Sequence, residues 1–200
     1  VGVAILWTMR DAVVPRIEKE NTAIVANFYT PAGLQSMVRN ILANPFIRYV
    51  ILFGEEHSSK SSGDKLSELT SANAIRAFFK KGVNENRKID DFENAVYFDK
   101  NIPLELIEKI RENVEFIDLN KETAGASLDE KIEEANKLIR VLEKKDPFIF
   151  PQVFDYEKSE ETFPYEGGPI IVHGTNIPDG WIKMIYNIYR YGKNNLMNAN

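Results

Sequence analysis

Apolar positions along the chain follow two alternating patterns. Short, nearly continuous apolar runs predict strands at residues 3–8, 23–28, 48–53 and 114–119, with a weaker run at 95–98. Continuous runs of this kind are typical of strands that are buried on both faces of a parallel sheet. We therefore expect the first three to be the central strands of one mostly parallel sheet.

Between these runs, apolar residues recur at helical spacing. One predicted helix begins at Thr30 and Pro31, with the Thr30 hydroxyl as its cap, and stops at Asn44. Further helices are predicted at 71–81, from Pro103 onward and at 128–144. The alternation of strands and helices predicts an α/β fold: a three-layer, Rossmann-like arrangement with helices on both faces of a mostly parallel sheet.

The character of the chain changes after residue 145. We predict a Rossmann-like domain at 1–150, an extended connector at 151–168 whose aromatic residues pack on that domain, and the truncated start of a second domain at 169–200. The last segment contains a predicted strand at 169–173 and a helix at 178–191. A strand opens directly at Val1 and a helix runs almost to Asn200, so we expect the sequence to be a piece of a longer protein.

Composition narrows the function. The 200 residues carry a net charge of -5, so a general nucleic-acid or membrane-surface binder is not expected, and the longest apolar runs are too short to span a bilayer. The opening residues show no signal-peptide pattern, which predicts a cytoplasmic protein. The absence of cysteine excludes a thiolate metal site and a cysteine nucleophile. We assign no catalytic residue and no metal site.

Polar residues follow the predicted strands at the edge where ligands bind in open parallel sheets. The candidate cofactor-binding residues are Arg10, Asn27, Tyr29, Thr30, Gly54, Glu55 and His57. Two plainer interpretations stay open: Asn27 and Thr30 as turn and cap residues, and 54–64 as a solvated surface loop. No glycine-rich phosphate loop occurs in the sequence, which disfavours nucleotide binding.

Three segments carry a resemblance to a known family. They are Tyr-Thr-Pro-Ala-Gly-Leu at 29–34, Val-Arg-Asn-Ile-Leu-Ala-Asn-Pro at 38–45 and Ile-Arg-Tyr-Val-Ile-Leu-Phe-Gly at 47–54, and the similarity continues at 78–83 and 114–119. These stretches resemble the A subunit of tetrahydromethanopterin S-methyltransferase, which carries the corrinoid in methanogens. A related domain opens archaeal thymidylate synthases, and Leu66-Ser67, Pro147-Phe148 and residues 169–173 and 179–192 resemble that version and its join to the synthase domain.

The second resemblance implies an accessory or ligand-binding domain of a thymidylate-synthase-like protein that makes dTMP from dUMP. A downstream synthase-like domain and a homodimer are the expected partners, with no nucleic acid and no membrane. Without cysteine, this chain alone is not expected to be catalytically complete.

The cofactor stays unknown at this point. Folate or tetrahydromethanopterin is an option for the full-length protein. A corrinoid is not expected, because the resemblance places no histidine of this chain at the position of the first family's cobalt-ligating histidine, and His57 lies earlier in the loop. The alternatives are a methyltransferase subunit that binds a corrinoid or a pterin, and a docking module without a ligand.

Overall fold

The computed structural model describes residues 1–56, 70–90, 92 and 96–154. Four strands form a sheet in the order β2-β1-β3-β4: β1 at Gly2–Ile5, β2 at Ile24–Asn27, β3 at Tyr49–Phe53 and β4 at Glu115–Asp118. All three neighbouring pairs are parallel, and Ile5 of β1 lies level with Asn27 and Phe53. The sheet confirms the predicted α/β fold class.

Helices cover both faces of this sheet. They are α1 at Arg10–Val13, α2 at Gly33–Ala43, α3 at Ser71–Lys81, α4 at Leu104–Asn113, α5 at Leu119–Glu122 and α6 at Leu128–Val141. One core joins α2, α3 and α4 to sheet residues such as Val50 and Leu52, and the other joins α1 and α6 to residues such as Ile51 and Phe53. The alternation of β3 side chains between the two cores gives the three layers.

The strand order corrects one expectation. β1 and β3 are central, and all five residues of β3 are buried, but β2 is an edge strand whose four residues are only half-buried. An apolar run reports that side chains avoid water on both faces of a sheet. The same pattern does not indicate whether the strand has a neighbouring strand on each side, and so it cannot distinguish a central strand from an edge strand.

Three local predictions also differ from the structure. Helix α2 begins at Gly33, and the Thr30 hydroxyl does not cap it; instead the Gly33 N–H donates to the Thr30 carbonyl at 2.9 Å and closes a turn. Among the described residues of the weaker run, Tyr97 forms only an isolated antiparallel bridge with Lys88. The short helices α1 and α5 were not predicted, because four residues are too few to show a period.

The last described residues run along the α2 side of the domain. Phe148, Ile149 and Phe154 pack against the larger core, and the Gln152 N–H donates to the Leu42 carbonyl at 2.8 Å. In the described ranges, every helix is too short or too polar to cross a bilayer. The strand and helix predicted at 169–173 and 178–191, and most of the connector, lie outside the described residues.

Candidate ligand site at the carboxyl edge of the sheet

The chain changes direction between β1 and β3. It leaves β1 toward β2 on one side and then returns through α2 to β3 on the other side, which makes the carboxyl ends of these two strands the switch point of the sheet. Pairing continues beyond the strands, with the Leu6 N–H donating to the Phe53 carbonyl at 3.1 Å and the Trp7 N–H to the Glu55 carbonyl at 2.9 Å. The two loops therefore start from a fixed backbone.

Polar side chains beneath these loops tie them together. The Glu55 N–H donates to Thr8 Oγ1 at 2.9 Å. The Asn27 amide donates from Nδ2 to the carbonyls of Leu6 and Thr8, at 3.1 and 2.8 Å. Because Asn27 ends the neighbouring strand, it fixes the turn after β1 from the side of β2.

Gly54 is held by a residue that follows the fourth strand. Asn120 Nδ2 donates to the Gly54 carbonyl at 2.7 Å, and the Gly54 N–H donates to Asn120 Oδ1 at 3.2 Å. Lys131 Nζ donates to the same Oδ1 at 2.9 Å. Gly54 has a φ of +115°, and a Cβ there would lie 2.7 Å from Thr8 Oγ1. We call Thr8, Asn27, Gly54 and Asn120 the floor.

The beginning of α3 borders the floor on a third side. Thr70 Oγ1 caps this helix by accepting from the Asn73 N–H at 3.1 Å, and Glu56 Oε2 accepts from the Ala72 N–H at 2.9 Å. The Ser71 hydroxyl donates to the Tyr29 carbonyl at 2.8 Å. These bonds attach the helix to the loops that follow β2 and β3.

A two-bond ion pair attaches α3 to the end of β4. Arg76 donates from Nε to Asp118 Oδ2 at 2.6 Å and from Nη2 to Oδ1 at 3.2 Å. Both side chains are mostly buried, with 25% of Arg76 and 11% of Asp118 exposed. Such fork-shaped pairing fixes the direction of both groups, so Arg76 serves to hold the edge together.

Aromatic rings stand above the floor and reach solvent. Trp7 is 40% exposed and Tyr29 is 46% exposed, and their ring centroids lie 5.0 Å apart at a 55° tilt. Glu55 is exposed beside them. We call Trp7, Tyr29 and Glu55 the rim. Rings of this size are usually more buried, so an exposed pair above an ordered polar floor is a surface suited to binding a flat ligand.

The structure brings together four of the predicted site residues: Asn27, Tyr29, Gly54 and Glu55. Thr30 is exposed and follows Tyr29 directly. Arg10 begins α1, where it lines a cavity along the outer edge of β2 and not the floor. His57 lies outside the described residues.

Sequence reasoning missed Thr8, Asn120 and the Arg76–Asp118 pair, and it did not predict the contact of Glu56 with α3. A usable signal existed for Asp118 and Asn120, because both stand at the end of the fourth predicted strand, on the same edge as the residues that were selected. Arg76 gave no such signal, and the partner of Glu56 could not be predicted, since both contacts depend on where α3 begins relative to the sheet.

A profile of the MtrA family, described as the A subunit of tetrahydromethanopterin S-methyltransferase, matches residues 15–153. This chain belongs to that family. The match covers the strands β2, β3 and β4 and extends to the extended segment after α6.

Curated relatives agree with this assignment, and all three named here are A subunits of tetrahydromethanopterin S-methyltransferase. The first of two such proteins from Methanobrevibacter ruminantium is 31% identical over 121 residues, which is 60% of this chain and 43% of the relative. The second from the same organism is 28% identical, covering 60% and 54%. The protein from Methanohalophilus mahii is 30% identical, covering 59% and 42%. The chain spans about half the length of these relatives.

The thymidylate synthase interpretation is therefore wrong, and with it the expected role in nucleotide biosynthesis. The segments that suggested a join to a synthase domain lie mainly after residue 154, beyond the family match, while residues 29–54 lie within that match. The partner prediction of a downstream synthase-like domain without a membrane is wrong for the same reason, because the matched proteins are named as one subunit of a methyltransferase.

The described part of this edge contains no imidazole or thiolate that could ligate cobalt, and His57 follows directly after the described residue Glu56. Neither histidine of the chain falls within the described ranges and the sequence has no cysteine, so the floor and rim there offer only oxygen, amide and aromatic groups. Those same ranges contain no group of three metal-binding side chains. Imidazole and thiolate are the usual protein ligands of soft or borderline metals. We therefore derive no step through cobalt.

Proposed function

We propose that this chain is a ligand-binding domain of the MtrA type in a methyl-transferring enzyme, and that its carboxyl-edge site binds the pterin ring of a methyl carrier such as tetrahydromethanopterin or a reduced folate. The observation that carries this proposal is the exposed Trp7–Tyr29 pair above a floor whose polar atoms are bonded within the protein. Family membership supplies the class of reaction.

The aromatic pair suits a flat heterocycle. Stacking a nucleobase-sized ring on one aromatic side chain is worth about 1–3 kcal/mol and needs no charge on the ligand. The two cations described at this site both have partners, since Asp118 holds the guanidinium of Arg76 and the Lys131 ammonium donates to Asn120. A neutral ring is therefore a better match for this surface than a phosphate-bearing group.

Glu55 gives the rim a direction. Its backbone is fixed by two hydrogen bonds, since its carbonyl accepts from the Trp7 N–H and its N–H donates to Thr8 Oγ1, and the residue is exposed to solvent. A pterin carries N–H donors along one side of the ring, and a carboxylate accepts from two such donors at once. Trp7 and Tyr29 would support the ring while Glu55 sets its orientation, and the methyl-bearing side would face away from the floor.

Calorimetric titration tests the proposal. Tetrahydromethanopterin and tetrahydrofolate are titrated into the whole chain, into Tyr29→Ala and into Phe46→Ala. Phe46 is the matched control, because it is an aromatic residue that is 61% exposed but precedes β3, at the amino ends of the strands and away from the site. We expect Tyr29→Ala to weaken binding about tenfold or more and Phe46→Ala to leave it unchanged. Binding that is absent, or that is equally weakened by both substitutions, would refute the site.

A separate titration addresses a corrinoid. Hydroxocobalamin is added to wild type and to His57→Ala, and its visible spectrum is recorded. A spectral shift that requires His57 would assign the chain to corrinoid binding and would contradict the pterin proposal if the pterin titration is silent.

A further inference from the structure

The two edges of the sheet differ in how they are protected. β4, at one edge, carries Glu115 and Asp118 within its four residues. β2, at the other edge, reads Ile-Val-Ala-Asn, and residues 23–28 include no charge and no proline. Natural edge strands usually carry charges, proline or a covering element that prevent pairing with another chain. β2 therefore lacks both the charges and the proline that would prevent such pairing.

Cavities flank β2 on both faces. On the α2 side, an apolar cavity of about 160 Å³ is lined by Ile24 and Ala26 together with Gly33 and Met37. On the α1 side, a cavity of about 440 Å³ is lined by Val25 and by Val14, which is 39% exposed. Because successive side chains of a strand point to opposite faces, a strand added beside β2 would send alternate side chains into the two cavities.

Charges of both signs lie at each end of this edge. Arg10 and Asp11 lie at the start of α1, beyond the carboxyl end of β1, whereas Glu18 and Lys19 precede β2 at its amino end. All four line the larger cavity, and three of them are exposed. If two copies of the strand ran antiparallel about a two-fold axis, Asp11 of each copy would face Lys19 of the other, whereas Glu18 already pairs with Arg140 of its own chain at 3.2 Å.

We propose that the outer edge of β2 is a self-association surface, on which β2 of a second copy of this chain adds as an antiparallel strand. The two sheets then form one continuous sheet of eight strands. Ile24 and Ala26 of both copies lie on the α2 side, where they cover the smaller cavities, and the two Val25 side chains lie on the α1 side. The second copy is favoured over an unrelated strand because the mixed charges of this edge complement themselves under two-fold symmetry.

Sedimentation of the full chain tests this surface. Wild type is expected at twice 22.9 kDa, and Ala23→Lys, which places a charge on an exposed residue next to β2, is expected at the monomer mass. Glu115→Lys on the β4 edge is the matched control and should remain dimeric. Monomeric wild type, or a dimer that Ala23→Lys leaves intact, would overturn the proposal.

A charge exchange tests the pairing itself. Lys19→Asp places two acidic groups opposite each other at each end of the interface and should weaken dimer formation about tenfold, whereas Asp11→Lys combined with Lys19→Asp restores the pairs and should restore the wild-type dissociation constant. Both residues are exposed, so folding is not at risk. A double variant as weak as the single one would contradict the antiparallel arrangement. If wild type is monomeric while the β2 amides resist hydrogen exchange, a different segment covers this edge and the proposal is wrong.

Discussion

The floor and the rim of the candidate site lie next to each other but are built in opposite ways. The floor has polar atoms that form hydrogen bonds within the protein, at Thr8, Asn27, Gly54 and Asn120. The rings of Trp7 and Tyr29, in contrast, are largely exposed to solvent. A ligand gains little from groups that are already bonded and much from exposed rings on a fixed support. The comparison therefore predicts that floor substitutions lower stability and rim substitutions lower binding.

The largest expected difference is between two neighbouring residues. Phe28 is 4% exposed and belongs to the larger core, so Phe28→Ala should lower the free energy of unfolding by about 3–5 kcal/mol. Tyr29→Ala, one position later, should change it by less than about 1 kcal/mol because the ring is 46% exposed. Urea denaturation measures both. Similar losses for the two variants would show that the rim belongs to the core and would remove the distinction.

A pair of glycines isolates the contact inside the floor. Gly54 and Gly125 both have positive φ, at +115° and +84°, but only Gly54 has protein atoms close to the position of a Cβ. Gly54→Ala should cost about 2–4 kcal/mol, from backbone strain and from the clash with Thr8 Oγ1, and Gly125→Ala about 1 kcal/mol, from strain alone. Equal losses in thermal or urea unfolding would mean that the approach to Thr8 does not matter.

Asn120 tests whether the floor depends on β4. Asn120→Ala leaves the N–H and the carbonyl of Gly54 without their side-chain partners, which should cost about 1–3 kcal/mol. Asn113→Ala is the control, because that amide bonds only the Lys109 carbonyl one turn earlier on an exposed helix face, and the loss should stay within about 0.5 kcal/mol. Pterin binding by the folded Asn120→Ala variant should stay near that of wild type, because the proposed ligand contacts the rim. Binding that weakens along with stability would show that the floor takes part in the site.

The smallest effect lies at the start of α6, away from floor and rim. Hydrogen bonds from the Ser127 N–H and hydroxyl lower the pKa of Glu130 below its ordinary value of 4.5. A carboxylate with a lowered pKa in the folded state stabilises the protein above its unfolded pKa, and that stabilisation is lost as the pH falls through the folded pKa. Glu130→Gln should therefore be slightly less stable than wild type at neutral pH.

The same difference should vanish in acid, below the folded pKa of Glu130, and should not alter ligand binding at any pH. Urea unfolding at several pH values checks this, with the exposed Glu143→Gln as a control for general charge effects. A stability difference that persists unchanged in acid would show that the charge of Glu130 is not its cause.

The sequence was sufficient for the layer arrangement. Continuous apolar runs at β1, β3 and β4, separated by helical periods, predicted a parallel sheet with two covered faces. In such a sheet all strands end at one edge, which is why Asn27, Tyr29, Gly54 and Glu55 could be assigned to one site from their places in the chain. The resemblance at residues 29–54 also pointed to the right family, but it did not distinguish that family from a related domain of another enzyme.

The layer arrangement and the shared edge were predictable because the polarity of a side chain indicates whether it faces water. Tertiary structure decided the rest. The position of β2 at the edge depends on which way each crossover turns, and the bond from Asn120 to Gly54 joins residues 66 positions apart. The contact between Trp7 and Tyr29 likewise depends on the pairing of β1 with β2. Periodicity describes what a residue avoids, and only the assembled sheet determines what it meets.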